Sequence, residues 1–297
     1  MEGNKLYLTI RKIKSEMSNK SNSTILIRKA SGEEEPFRVS KLKQSLRNAG
    51  AEEEIIDQVA GDIESWITSG ITTKKIYARA FSLLRKKRKL LASRYKLKKA
   101  IMELGPTGYP FEHLIGKVME LKGYTVEVGK TLQGLCVSHE VDVIATKGKK
   151  QYFVECKYGQ SPGKTVNVQV PLYIRSRVDD IVNQRKSSDR FEGYEFGGWI
   201  VTNTRFSSDA IDYGKCSGLN LLSWDYPTGK GLKDIIDRAK IYPVTVLHNL
   251  TKNQKQNLMD RGIVICRQIL EKQEVLNDFQ LPERQYKELM KELENIL

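Results

Sequence analysis

The sequence lacks the features that mark secreted and membrane proteins. No apolar run approaches the roughly 18 residues that a membrane-spanning helix needs, and the first twenty residues are charged throughout, with no signal-peptide core. The four cysteines are scattered and form no CxxC pair, which argues against a zinc ribbon and against a disulfide framework. With 39% hydrophobic and 29% charged residues, the chain is predicted to be a globular, cytoplasmic protein with no membrane partner.

Positive charge is abundant and unevenly distributed, and the formal net charge is +14. Residues 1–105 carry 23 Lys and Arg against 12 Asp and Glu, residues 106–240 carry 19 against 16, and residues 241–297 carry 8 against 8. Nine of the fifteen residues 85–99 are Lys or Arg. Such a concentration is typical of proteins that bind nucleic acids, although a solvated basic helix face gives the same pattern.

Turn and helix signals divide the chain into four predicted parts. The Gly-Pro-Thr-Gly run that begins at Gly105 interrupts a helical pattern and marks the first domain boundary. The mixture of strands and helices after it predicts the α/β class, with a central mixed β-sheet flanked by helices. The predicted parts are a flexible segment (1–23), a small domain with one short strand and three helices (24–105), an α/β domain (106–240) and a helical C-terminal region (241–297).

Capping residues predict where the helices of residues 24–105 begin. Ser40 is the candidate N-cap of the first helix, and Thr72 or Thr73 is the candidate N-cap of the third. A further helix is predicted over residues 172–184, where Arg175 and Arg177 are either DNA-phosphate contacts or ordinary helix-surface cations.

Two strands that flank the turn at Gly148-Lys149 are predicted to form a β-hairpin. If the hairpin is symmetric about this turn, Asp142 lies opposite Glu155, and two-residue alternation places Lys157 on the same face as Glu155. Two carboxylates and one ammonium group then converge. Such oxygen ligands suit Mg²⁺ or Mn²⁺, which activates a bound water, while the lysine stabilises charge on a phosphate.

An ordinary cross-strand ion pair on a surface hairpin would use the same residue types. The preceding segment favours a metal site, because a helix predicted over residues 111–122 brings a third acid, Glu112, to the inward face. This acid is a candidate to hold a second metal ion or a water molecule.

The run from Tyr109 to Tyr226 resembles the PD-(D/E)xK nuclease superfamily, and most closely its Mrr-type restriction endonuclease branch. The similar motifs are GYPFEHLIGKVMELKGYTVEV, HEVDVIA, FVECKYG and GGWIVTNTRFSSDAIDYGKCSGLNLLSWD. The resemblance implies that Asp142 binds the metal, that Glu155 and Lys157 are the Glu-x-Lys pair, and that Glu112 is the acid of the first helix.

The same resemblance implies a Mg²⁺-dependent DNA endonuclease, with restriction or defence against foreign DNA as its role. Val141 stands where the family often has a proline before the Asp, and Gln169 falls where some relatives place a further active-site residue. Because one such site cuts one strand, cutting of both strands predicts a homo-oligomer or successive nicks.

The segment ILIRKASGEEEPFRVSKL, followed by helices and then by GITTKKI, resembles an ATP-cone, the regulatory nucleotide-binding module of ribonucleotide reductases. Ala30 and Ser31 replace the middle of the family's Lys-Arg-Asp-Gly run, whose ends are kept. The resemblance implies that ATP or dATP is bound by Lys29, Glu35, Phe37, Arg38, Lys41 and Thr73. A small basic helical domain that binds nucleic acid directly is the alternative.

The C-terminal run LHNLTKNQKQNLMDRGI is similar to a helix-hairpin-helix unit, although a packing or dimerisation role fits its neutral charge equally well. Together these patterns predict a nucleotide-regulated, Mg²⁺-dependent DNA endonuclease. The competing hypothesis is an ATP-responsive nucleic-acid-binding protein that does not cut.

Overall fold

The structure is a computed structural model, and it describes residues 25–29, 31–49, 51–87, 96–161 and 163–297. The predicted flexible segment 1–23, Ala30 and part of the basic run (88–95) lie outside these residues. Cα packing separates the chain into two compact units, with the division between Leu83 and Leu84. The boundary predicted from sequence lies at residue 105, about twenty residues later.

The first unit contains a small antiparallel sheet and helices whose apolar faces form its core. In chain order its elements are β1 (Leu26–Arg28), β2 (Glu34–Pro36), α1 (Val39–Asn48), α2 (Glu53–Trp66) and α3 (Thr73–Lys87). Leu46, Ile56 and Ile63 are fully buried, as their helical spacing predicts.

The cap predicted for the first helix is wrong. α1 begins at Val39, and Arg38 in an extended conformation precedes it, so Ser40 lies inside the first turn and is no N-cap. The N-cap of the third helix is confirmed at Thr72, whose Oγ1 accepts the N–H of Lys75 at 3.3 Å.

The second unit is built on a five-stranded sheet with helices on both faces. Its first elements are α4 (Leu97–Met102), α5 (Tyr109–Leu121), β3 (Thr125–Gln133), β4 (Ser138–Lys147), β5 (Lys150–Lys157), β6 (Thr165–Val166) and α6 (Gln169–Lys186). The remaining strands and α-helices are β7 (Glu195–Thr202), β8 (Arg205–Phe206), α7 (Ser208–Ser217), β9 (Asn220–Leu222), α8 (Leu232–Ala239), α9 (Lys252–Asp260), α10 (Cys266–Glu271) and α11 (Glu283–Ile296). Three 3₁₀ helices complete it, at Asp189–Phe191, Val244–Val246 and Gln273–Phe279.

The sheet is mixed, which confirms the predicted α/β class. Its strand order is β3-β4-β5-β7-β9. β3, β4 and β5 are antiparallel neighbours, whereas β5, β7 and β9 run parallel to one another. The carboxyl ends of β5 and β7 therefore meet at one edge, where Lys157 pairs with Thr202.

Each face of the sheet carries its own apolar cluster. α5 packs on one face through residues such as Phe111 and Leu114, in a cluster that also contains Tyr242, Leu258 and Leu289. α6 and α7 pack on the other face, in a cluster of eleven buried residues. Residues 241–297, predicted as a region of their own, therefore share the core that holds α5.

The register predicted for the hairpin is confirmed. Five consecutive pairs connect β4 and β5, from Lys147↔Lys150 at the turn to Val143↔Val154. The predicted alternation also holds, because Cys156 packs in the α5 cluster. No helix in the described part of the chain is long and apolar enough to cross a membrane.

Candidate active site

Asp142 lies where the regular pairing of β4 stops. The β4–β5 ladder ends at Val143↔Val154, and the β3–β4 ladder skips Asp142 and the opposite Gly129, whose φ is +61°. Only glycine adopts such a φ readily. The Asp142 Oδ2 accepts the N–H of Cys156 at 2.6 Å. The carboxylate is thus fixed against the carboxyl end of β5, beside Glu155.

Glu155 is buried, at 9% exposure, and both its oxygens accept bonds from cations. The Lys157 Nζ lies 2.6 Å from Oε1, and the Arg177 Nη1 lies 2.9 Å from Oε2. Arg177 also donates to the carbonyl of Glu140, and its guanidinium lies 5.3 Å from the centroid of the Tyr173 ring. Arg177 therefore holds Glu155 in place.

Glu112 stands in the first turn of α5 and adds negative charge to the same region. Its pKa is raised to about 7. Burial is the main cause, and the charges of Asp142, Glu140 and Glu155 act in the same direction. The pKa of Asp142 is raised to about 6, mainly by burial and also by the charge of Glu155. The hydrogen bond from the N–H of Cys156 acts in the opposite direction. The site thus holds more negative charge than its cations neutralise.

The donor set fits a hard divalent cation that keeps several water ligands. Among the described residues, no three His, Cys, Asp or Glu side chains stand close enough to hold a metal ion by themselves. Asp142 and Glu155 supply the carboxylate oxygens that Mg²⁺ and Mn²⁺ prefer. Binding would relieve their mutual repulsion and would require Lys157 or Arg177 to release one oxygen of Glu155.

Two family models match parts of the chain. Residues 105–226 match the family model described as "Restriction endonuclease" (Mrr_cat). Residues 242–297 match a second family model, described as "AF1548-like, C-terminal". The Mrr-type domain predicted from the motifs is thereby confirmed, and the chain beyond it has a family likeness of its own.

Two similar proteins are matched over nearly their full length. An uncharacterised protein of Archaeoglobus fulgidus is 27% identical over 184 residues, which cover 62% of this chain and 99% of that protein. The crystal structure of a protein of unknown function, AF1548, is 27% identical with a TM-score of 0.53 and covers 64% of this chain and 98% of that one. Nearly the full length of each relative thus corresponds to less than two thirds of this chain.

Two solved restriction endonucleases are more distantly similar. The DNA modification-dependent restriction endonuclease AspBHI is 14% identical with a TM-score of 0.32, over 57% of this chain and 39% of its own. The MspJI restriction endonuclease, in complex with a 27-mer oligonucleotide, is 16% identical with a TM-score of 0.33, over 58% of this chain and 36% of its own.

Buried polar side chains at the ends of β5 and β7 support the candidate site. The Thr202 Oγ1 donates to the carbonyl of Lys157 at 2.7 Å. Asn203 brackets Gly159, accepting its N–H at 2.7 Å and donating to its carbonyl at 2.8 Å. Neither Thr202 nor Asn203 is among the residues predicted from sequence. The available signal was the polar TNT run directly after the apolar strand WIV.

The start of α5 is tied to the end of β5 by one tyrosine. The Tyr158 hydroxyl donates to the carbonyl of Met102 at 2.7 Å and accepts the N–H of Gly105 at 2.9 Å. A Cβ on Gly105 would lie 2.6 Å from the Tyr158 ring. The Gly105 turn therefore sets the entry of the helix that carries Glu112.

Two other predicted contributors lie on α6 at different places. Gln169 is its first residue, and its Oε1 accepts a bond from Asn167 at 3.4 Å. Eight residues separate Gln169 from Arg177, or about 12 Å along the helix. Arg175 donates to Asp179 and to the carbonyl of Ser217, so helix packing occupies it.

The first unit brings three of its six predicted nucleotide-binding residues together. The Lys29 Nζ and the Lys41 Nζ lie 3.2 Å and 3.1 Å from the same Glu35 oxygen. The hydrogen bond from Lys41, followed by the one from Lys29, lowers the pKa of Glu35. The other three stand at separate points of the unit: Phe37 is half-buried after β2, Arg38 is exposed before α1, and Thr73 begins α3.

Proposed function

We propose that this protein is a metal-dependent DNA endonuclease that hydrolyses phosphodiester bonds, with restriction or defence against foreign DNA as its role. The observation that carries the proposal is the meeting of Asp142, Glu155 and Lys157 within an Mrr-type domain. Their charges are partly buried and incompletely neutralised. A structural ion pair alone has no need for the extra acids Asp142 and Glu112.

Each residue has a role that its position allows. Asp142 and Glu155 would hold Mg²⁺, which when bound makes water more acidic and neutralises charge on the phosphate. Lys157 is 37% exposed while its ammonium stays 2.6 Å from Glu155, so it can orient the attacking water and stabilise the developing negative charge. Glu112 holds a proton near neutral pH and can exchange it with water at the site.

Hydrolysis at this site adds the oxygen of one water molecule to phosphorus and breaks the bond to one ester oxygen. The water loses a proton, and the departing alcohol gains one. Glu112, with a pKa of about 7, is suited to take part in this exchange because it can carry either form at neutral pH.

The test is cleavage of plasmid DNA with Mg²⁺ or Mn²⁺ by the wild type, Asp142→Ala and Lys157→Ala. We expect a loss of roughly 10²-fold or more in each variant. Asp189→Ala and Lys186→Ala are matched controls, because both residues are exposed at the far end of α6. A wild type that binds DNA but cuts none, across metals and base modifications, would favour a non-cleaving DNA-binding protein.

We also infer that the first unit binds ATP or dATP and regulates the nuclease. The paired ammonium groups of Lys29 and Lys41 support this inference, since a triphosphate could replace Glu35 as their partner. Calorimetric titration of ATP into the double variant Lys29→Gln/Lys41→Gln tests it. Lys74→Gln/Lys75→Gln, on exposed positions of α3, is the control. Equal binding in both would favour a unit that contacts nucleic acid directly.

A further inference from the structure

A cavity of about 320 Å³ lies beside β9, the edge strand of the sheet and a place remote from the carboxylates. Its lining contains lysines and aromatic rings, and the described lining residues include no Asp or Glu. The residues that matter are Lys122, Lys215, Lys230, Trp199 and Tyr226.

The three lysines come from three different elements and converge without a counter-charge. Lys122 follows α5, Lys215 lies in the last turn of α7, and Lys230 precedes α8. Among described residues, no carboxylate lies within ion-pair distance of any of them. The Lys122 Nζ lies 4.7 Å from the centroid of the Trp199 ring, and burial lowers its pKa. A partly desolvated cation of this kind gains from binding an anion.

Positive charge continues from the cavity toward the active-site edge of the sheet. Lys233 lies three residues after Lys230, in the first turn of α8, and the Lys98 Nζ lies 5.7 Å from the centroid of the Trp224 ring. Burial lowers the pKa of Lys98, and the neighbouring charges of Arg205 and Lys233 lower it further. The charge of Asp225 acts in the opposite direction and raises this pKa. Arg205 lies in β8, shortly after β7, whose end pairs with the end of β5.

The span between cavity and carboxylates suits a nucleic-acid backbone. Ten residues of α5 separate Glu112 from Lys122, or about 15 Å. Along one DNA strand, phosphates recur about every 3.4 Å of helix axis, so this span corresponds to about four base-pair steps. A duplex whose scissile phosphate meets the carboxylates can therefore place a second phosphate at the lysines.

We propose that the β9-edge cavity and its basic continuation form a second phosphate-binding site, which holds the DNA backbone at the end of α5 opposite Glu112. The inference rests on the proposed nuclease function for the identity of the strand, and on the uncompensated lysines for the chemistry. The phosphate of a free nucleotide has the same chemistry and is the other source to be tested.

The experiment measures binding of a labelled 20-base-pair duplex in EDTA, where no metal-dependent cleavage occurs. The triple variant Lys122→Gln/Lys215→Gln/Lys230→Gln is compared with a control that changes net charge equally. In the control, Lys117, Lys150 and Lys287, each paired with a Glu, become Gln. We expect at least tenfold weaker binding in the first variant only, with a salt slope shallower by about 0.9 for each phosphate that the protein no longer neutralises.

The double variant Lys215→Gln/Lys230→Gln leaves the Lys122–Trp199 contact intact and guards against a folding defect. It should weaken duplex binding in the same direction without lowering the melting temperature. If ATP binding falls and duplex binding does not, the site takes a free nucleotide, and the assignment to DNA is overturned. Equal duplex and ATP binding by the triple variant and its control would overturn the site itself. Duplex bound through these lysines but not cut with Mg²⁺ would support the site and contradict the nuclease proposal.

Discussion

At the scale of single residues, Arg177 decides how Glu155 behaves without metal. Both side chains are nearly buried, with 14% and 11% exposure, and their atoms lie 2.9 Å apart. Removing Arg177 takes one of two cationic partners from the buried Glu155, which then keeps only Lys157 on Oε1. We therefore expect Arg177→Met to lower the free energy of unfolding by about 3 kcal/mol in EDTA. Urea denaturation measures this change.

The control for this prediction lies on the same helix. Arg175 forms an (i, i+4) pair with Asp179 in which both side chains are more than one third exposed. Arg175→Met should therefore cost much less, about 1 kcal/mol including its bond to a backbone carbonyl. Saturating Mg²⁺ should reduce the loss caused by Arg177→Met, because the cation replaces the missing charge. An unchanged loss in Mg²⁺ would contradict a metal on Glu155.

Glu112 gives the metal-free protein a predictable pH dependence. Its pKa is about 7 in the folded state, against about 4.3 for an unperturbed Glu. The folded state therefore binds the proton more tightly, and stability falls as pH rises from about 4 to about 7. We expect the melting temperature in EDTA to be lower at pH 8 than at pH 5. Glu112→Gln should raise it at pH 8 and change it little at pH 5.

Calorimetry at the two pH values separates this effect from general charge effects. Glu120 lies on the same helix at an exposed position and is paired with Lys117. Glu120→Gln should therefore not reduce the fall in melting temperature between pH 5 and pH 8. Mg²⁺ at pH 8 should raise the wild-type melting temperature. If Glu112→Gln melts with the same pH dependence as the wild type, the acid does not carry this charge in the folded protein.

The candidate site triplet could be predicted from sequence because its members follow local rules. Turn symmetry and two-residue alternation place Asp142, Glu155 and Lys157 together without knowledge of any distant contact. Arg177 reaches Glu155 from a helix twenty-two positions later, and Asn203 reaches Gly159 across forty-four positions. No local period encodes such contacts, so only the folded arrangement of α6 and β7 reveals them.

At the scale of elements, the tip of the β3–β4 hairpin is held to α6 by the carboxylate of Asp180. Asp180 accepts the N–H of Cys136 at 2.9 Å and of Val137 at 3.3 Å, and the His139 Nε2 lies 2.7 Å from its Oδ2. These contacts, His139 first, lower the pKa of Asp180 to about 2. A Cβ on Gly134 would lie 2.1 Å from the same Oδ2. The tip of the hairpin is therefore built around this side chain.

We predict that Asp180→Ala releases the tip without unfolding the sheet. The N–H groups of Cys136 and Val137 lose their acceptor, so their amide exchange should rise roughly fivefold or more at pH 7. Amides of β5 should stay protected in this variant. In the control variant Asp179→Ala, the amides of β5, Cys136 and Val137 should all stay protected. Because the pKa is depressed, the anchor persists above about pH 4 and weakens as pH falls toward 2. Exchange at the tip that is unaffected by the substitution would refute the anchor.

The hairpin itself could be predicted, but the interruption at its functional end could not. The register follows from the turn and from alternation of apolar residues. The loss of pairing at Asp142 depends on Gly129 in a neighbouring strand, whose φ of +61° removes the partner from the ladder. That neighbour is known only once β3 is placed beside β4. Ser40 failed as a cap for a simpler reason: an extended Arg38 lets the helix start two residues earlier, at Val39.

At the scale of the molecule, the C-terminal helices belong to the core of the second unit. The cluster that holds Phe111 and Leu114 of α5 also contains Leu258, Leu289 and Leu293. Composition and helical spacing predicted residues 241–297 as a separate region, because each helix is amphipathic by itself. A sequence pattern shows that a helix has an apolar face, and tertiary packing alone shows which surface that face covers.

The two ends of the chain should consequently respond in opposite ways to truncation. Removing residues 241–297 would expose the apolar face of α5 and of the sheet, including Phe111, Leu114 and Ile115, all fully buried. Each such side chain contributes about 1.5–3 kcal/mol when buried, so the loss is comparable to the roughly 5–15 kcal/mol that a typical domain has in total. We expect residues 1–240 to give no cooperative melting transition from the nuclease part.

A chain that begins at Lys96 should instead fold, since α4 and everything that packs in the α5 cluster remain. We expect it to melt cooperatively and to keep Mg²⁺-dependent cleavage, while losing any response to ATP. Calorimetry and plasmid cleavage on the two truncated chains and on the full chain measure both properties. If a chain that begins at Lys96 fails to fold, residues before Lys96 contribute to the core. If the chain 1–240 folds, the C-terminal helices only cover the core and are not part of it.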